Sequence, residues 1–66
     1  MTKGEILRNI RSMSSGTIAN LIGNSKYVII DRAATAAMER ASALTDAECK
    51  AIETFEDICN LFKKGA

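Results

Sequence analysis

The stretch Ile30-Asp31-Arg32-Ala33-Ala34-Thr35-Ala36-Ala37-Met38-Glu39-Arg40-Ala41-Ser42-Ala43-Leu44-Thr45-Asp46-Ala47-Glu48 decides the fold. Ile30, Ala34, Ala37, Ala41 and Leu44 recur at alternating spacings of four and three, so all five fall on one stripe of an α-helix. The small alanines on that stripe let a second helix approach closely. From Arg32 to Ala43 the residues are mostly strong helix formers. Thr45 with Glu48 three residues later is the signature of a capping box, in which the threonine hydroxyl and the glutamate carboxylate each satisfy a backbone N–H at a helix start. One helix therefore ends near Ala43 and another opens at Asp46.

Downstream, Ile52, Phe55, Cys59 and Phe62 follow at spacings of three, four and three, and Ile58 and Leu61 widen the stripe. This predicts a single helix from Asp46 to about Lys63, with acidic residues in its first turn, Lys63 and Lys64 in its last and Gly65 as its stop. Upstream, Thr2 and Glu5 form a second capping box before Ile6, Leu7, Ile10 and Met13. Ser14-Ser15-Gly16 breaks that helix and offers a new N-cap. A short helix over 17–22 follows, and Gly23 is placed to end it in the left-handed conformation. Ser25 can cap the next helix, which the pattern runs from about Lys26 to Ala43. Lys26–Asp31 is rich in β-formers, but no second strand-like run exists to pair with it, so helix is the expectation. The predicted fold is all-α: a single four-helix domain over residues 1–66. Two short N-terminal helices pack on an antiparallel hairpin of two longer ones, with Phe55 and Phe62, or a helix of a second copy, seated on the alanine seam.

Sixty-six residues make one domain with a small core. A core of that size supplies about 3–5 kcal/mol, and natural chains this short often add disulfides, a metal or a partner. The chain has no His and two Cys, and on one helix Cys49 and Cys59 would lie roughly 15 Å apart along the axis, beyond disulfide reach. Reduced, packed thiols point to the cytoplasm. No secretory h-region is visible at the N-terminus, and no apolar run approaches the ~20 residues that cross a bilayer. Net charge is +1, divided unevenly: residues 1–32 carry five basic and two acidic side chains, residues 33–66 four basic and six acidic. An anionic partner would prefer the first half.

Catalytic constellations are scarce. Without His there is no Ser-His or Cys-His relay, and two Cys outside a CxxC arrangement do not make a structural zinc site. Cys49, near a helix N-terminus, is the better placed thiol, but a small apolar residue at a helix interface is the stronger reading. Glu53, Glu56 and Asp57 read as a solvated face rather than a cation site. The expectation is a non-enzymatic protein with no cofactor and no metal.

The segment Ser14-Ser15-Gly16-Thr17-Ile18-Ala19-Asn20-Leu21-Ile22-Gly23-Asn24-Ser25-Lys26-Tyr27-Val28-Ile29-Ile30-Asp31-Arg32 resembles the helix-turn-helix of phage repressors and Cro-like proteins. Ala19 stands where a small residue lets two helices approach, Gly23 where the motif turns, and Ile29 where an aliphatic side chain packs the second helix on the first. Ile18 and Ile22 fall at apolar positions of the motif. The resemblance covers about twenty residues and implies a transcription regulator. Ser25, Lys26 and Tyr27 would open the recognition helix, and Lys3, Arg8 and Arg11 would lie near phosphates.

The residues themselves favour a different reading: a small helical protein that binds another protein, as adaptor or inhibitor of a larger partner, or as a homodimer. Ile52, Phe55, Ile58, Cys59 and Phe62 form the expected docking surface. DNA binding through the helix-turn-helix resemblance is the alternative.

Overall fold

Five helices account for most of residues 1–63, the part of the chain that the computed structural model describes. They are α1 (Lys3–Ser12), α2 (Ser15–Ile22), α3 (Tyr27–Ser42), α4 (Asp46–Ala51) and α5 (Phe55–Lys63). No strand occurs among the described residues. The expected roles of Lys64 and Gly65 at the last helix end lie outside them.

The helix starts follow their capping chemistry. Thr2 accepts from the Glu5 backbone N–H at 3.2 Å, and the Glu5 carboxylate accepts from the Thr2 N–H at 3.1 Å. Thr45 and Glu48 repeat the arrangement at 3.2 and 2.9 Å. Ser14 caps α2 through the Thr17 N–H, so α2 opens at Ser15, two residues before the expected start at 17. Gly23 closes α2 with φ 69°, in the left-handed region that glycine enters without steric penalty. Ser25, expected to cap α3, does not: Lys26 is the N-cap residue and has no side-chain cap. Asn24 instead folds its Oδ1 onto the Lys26 N–H at 2.9 Å, a local turn that sets the chain up one residue later than expected.

One long helix was expected from Asp46 to Lys63; the structure has two. Ile52 leaves the helix with φ −88°, ψ 109°. The cause is a third reciprocal cap, between Thr54 and Asp57. The Thr54 hydroxyl accepts from the Asp57 N–H, while Asp57 Oδ2 accepts from the N–H groups of Glu53 and Thr54 at 2.9 and 3.1 Å. Those bonds replace the ladder that a continuous helix would make through this turn. The break also turns the apolar face. Ile58, Cys59, Leu61 and Phe62 of α5 reach the core together with Ile52, and Phe55 is left half-exposed.

The expected hairpin gives way to packing around α3, which touches α1, α2 and α5, while α4 lies against α1. Ala37 and Ala41 have no solvent exposure, and Ile30 is buried beside them in one cluster with Ile6, Ile10, Ile18, Ile58, Leu61 and Phe62. The alanine seam is therefore filled from within the chain. Phe62 belongs to that filling and Phe55 does not.

Three cationic groups from elsewhere in the chain reach the C-terminal ends of α3, α4 and α5. Lys3 Nζ donates to the Ser42 carbonyl at 2.8 Å, and Arg40 Nη1 donates to the Leu61 carbonyl at 2.6 Å. The Met1 amino group donates to the carbonyls of Cys49 and Ile52 at 3.0 and 2.6 Å. Each places positive charge at the negative end of a helix dipole. No buried side chain among the described residues is polar or charged.

Ala37→Leu forces three extra carbons into the closed α1–α3–α5 contact and should lower unfolding free energy by about 1–3 kcal/mol in urea titration. Thr54→Ala, which removes only the α5 cap, should lower it by ~1 kcal/mol. Wild-type stability for Ala37→Leu would contradict the close packing described.

The caps also predict a pH dependence. Hydrogen bonds from the Thr2 backbone and hydroxyl hold Glu5 below its ordinary pKa of 4.5, and the backbone N–H groups of Glu53 and Thr54 hold Asp57 below its ordinary 3.8. A carboxyl held low in the folded chain stabilises it fully above the ordinary value and loses that contribution as acid protonates it. Melting temperature should be level from neutrality down to about pH 5 and should fall through pH 4 and below. Glu5→Gln keeps an acceptor for the Thr2 N–H, so its melting temperature should depend less on acid than that of the wild type.

Candidate protein-interaction surface

Burial of apolar side chains leaves few large hydrophobic groups in water. Among the described residues these are Tyr27, 76% exposed, Val28, 56%, and Phe55, 52%. Of the five residues expected to form a docking face, Ile52, Ile58, Cys59 and Phe62 are buried, so they are core and not surface. The reason is the helix break at 52–54, which lets α5 turn its apolar face inward onto α3. Phe55, the first residue of α5, is the one that stays outside.

Tyr27 and Val28 open α3, and from Val28 a stripe runs along its outer side. Val28, Arg32, Thr35 and Glu39 follow at spacings of four, three and four and are all exposed. On a helix this stripe lies opposite Ile30, Ala37 and Ala41. Together with Asp31 and Ala36 these four residues line a shallow groove of about 390 Å³. Neither the alanine seam nor the helix-turn-helix spacing marks this stripe; its signal in the sequence is Val28, an apolar residue with no place on the inner face.

The residues implied by the helix-turn-helix resemblance are also exposed: Ser25, Lys26 and Tyr27 around the start of α3, and Arg8 and Arg11 on α1. The turn at Gly23 is as the motif requires. The packing of α3 differs from it, however. Ile29 is half-buried, whereas Ile30, one residue on, is the side chain that enters the core, and Arg32 faces solvent. A shift of one residue turns a helix by about 100°. The alanine seam and not the motif position sets the rotation of α3.

The remaining candidates for chemistry are structural. Cys49 and Cys59 are free thiols and both are buried. Asp57 is engaged in capping α5, with Glu53 supplying one of the backbone N–H groups it binds. No group of three His, Cys, Asp or Glu side chains placed to hold a metal ion occurs among the described residues. No helix among them is long and apolar enough to cross a membrane. Comparison with protein families, with curated proteins and with solved structures finds no match to the chain.

Core and surface aromatics should separate in a truncation pair. Phe62→Ala should lower unfolding free energy by about 3–5 kcal/mol. Phe55→Ala, at a half-exposed site, should lower it by about 1 kcal/mol or less. Equal losses in denaturant titration would contradict the division between the two faces.

Proposed function

We propose that this protein is a non-enzymatic helical interaction module, acting by protein–protein binding as adaptor or inhibitor of a larger protein, or as a homodimer. The contact surface is the outer face of α3 from Val28 onward, with the exposed Tyr27 one residue before it, over the groove that α2 and α3 share. The observation that carries this reading is the adjacency of two large exposed hydrophobic residues at the head of a helix whose opposite face is closed. The inner side of α3 is spent on the fold, so the outer side is the part free to recognise another surface. Aromatic residues are enriched at such contacts, and exposed apolar groups beside a groove are common in them. Two free buried thiols suit a reducing compartment, which favours action in the cytoplasm.

DNA binding is the second reading, favoured by the tight glycine turn between α2 and α3 and by the exposure of Ser25, Lys26 and Tyr27 beyond it, with Arg8 and Arg11 on α1. Phosphate contacts would make such binding fall steeply with salt.

Two charge variants separate the readings. Under the interaction reading Val28→Glu abolishes capture of the protein partner from the source cell, Lys26→Glu leaves it intact, and duplex DNA mobility is unchanged at low salt. Salt-sensitive retardation of DNA by the wild type, lost in Lys26→Glu, would overturn the interaction reading in favour of DNA binding.

A further inference from the structure

The outer stripe of α3 carries a charge pattern that its own helix does not use. On a helix, opposite charges pair at separations of three or four residues. Arg32 has Val28, Ile29, Thr35 and Ala36 at those positions, and Glu39 has Thr35, Ala36, Ser42 and Ala43. Neither finds a counter-charge there. Seven residues separate the two, about 10 Å of helical rise, so they are out of ion-pair reach of each other along the helix.

The same spacing is symmetric about the middle of the stripe. Midway between Arg32 and Glu39 stand Thr35 and Ala36, short side chains that permit close contact of two helix axes. A two-fold axis through this midpoint, perpendicular to α3, lays a second α3 antiparallel on the first. It brings Arg32 beside the other copy's Glu39 and Glu39 beside the other copy's Arg32, with Thr35 and Ala36 meeting at the centre. Val28, more than half exposed, comes to rest at the level of the other copy's exposed Ala43. An isologous contact must complement itself, and this stripe does so in apolar contact and in charge at one register.

We propose that the partner of the α3 outer face is a second copy of this chain, docked antiparallel about the Thr35–Ala36 midpoint and held in register by two reciprocal Arg32–Glu39 ion pairs. The proposal rests on the reading of that face as the interaction surface and specifies its occupant. The contact is small and its ion pairs are open to water, so association is weak, reversible and sensitive to salt.

Sedimentation velocity between about 10 µM and 1 mM, a range that spans weak association, reads the proposal directly. The wild type should shift from monomer to dimer across it, and raised salt should move the transition to higher concentration. Arg32→Glu alone, or Glu39→Arg alone, sets like charges against each other at both pairs and should weaken association roughly tenfold. Mixing the two single variants restores both pairs in the heterodimer, and the double variant R32E/E39R restores them in its homodimer; each should recover wild-type association. A wild type that stays monomeric throughout, or single variants whose mixture associates no better than either alone, overturns the proposal. Loss of partner capture on Val28→Glu in a chain that remains monomeric would overturn the second-copy assignment while leaving the interaction reading in place. A dimer indifferent to Arg32 and Glu39 would overturn the proposed docking and its ion pairs while leaving the interaction reading in place.

Discussion

Closure of the methyl face of α3 is the constraint on which the rest of the structure depends. Ala37 and Ala41 have no exposure because α1, α2 and α5 all come to that helix. A larger residue at either position would hold the neighbours apart, and the buried aliphatic side chains of the described residues gather in this one cluster. The aliphatic groups that meet there, among them Ile6, Ile10, Ile18, Ile58 and Leu61, come from all of the helices that touch α3.

Polar chemistry supports this arrangement from its edges. Three reciprocal caps, Thr2–Glu5, Thr45–Glu48 and Thr54–Asp57, fix where α1, α4 and α5 begin. Cationic groups from Lys3, Arg40 and the Met1 amino end reach the carbonyl ends of α3, α4 and α5. Bonds of this kind contribute modestly one at a time. Their value here is positional. Lys3 and Arg40 join residues 39 and 21 positions apart in sequence, tying the first helix to the end of the third and the third to the last. With both cysteines free, these contacts tie distant parts of the chain together alongside the core itself.

Much of this was legible from side-chain spacing. The alanine seam, the capping boxes at Thr2 and Thr45 and the left-handed Gly23 follow from local rules, because each depends on residues within one turn of one another. The break in the last helix obeys the same rule. Thr54 and Asp57 stand three apart, as Thr2–Glu5 and Thr45–Glu48 do, but the apolar stripe running through them reads as one continuous helix. A stripe and a cap competed over the same four residues, and the cap prevailed because breaking the helix brings Ile52 and Ile58 into the core together at the expense of Phe55. What spacing does not encode is which partner a helix face meets. That is why Ile58, Cys59 and Phe62, apolar and regularly spaced, read as a docking surface when they are the interior. The outer stripe of α3, broken by Arg32 and Glu39, reads in turn as ordinary solvent face. The rotation of α3 likewise follows long-range packing on the alanine seam and not the spacing of the helix-turn-helix resemblance.

If α3 is the axis of the fold, its amides should open only when the whole chain unfolds. Native-state hydrogen exchange followed residue by residue tests this most directly. The expected result is that the amides of Ala37, Met38 and Ala41 exchange slowest, with an opening free energy equal to that of global unfolding, while those of α4 exchange through smaller local openings. Amides of α3 that exchange as fast as those of α4, well below the global value, would contradict the account.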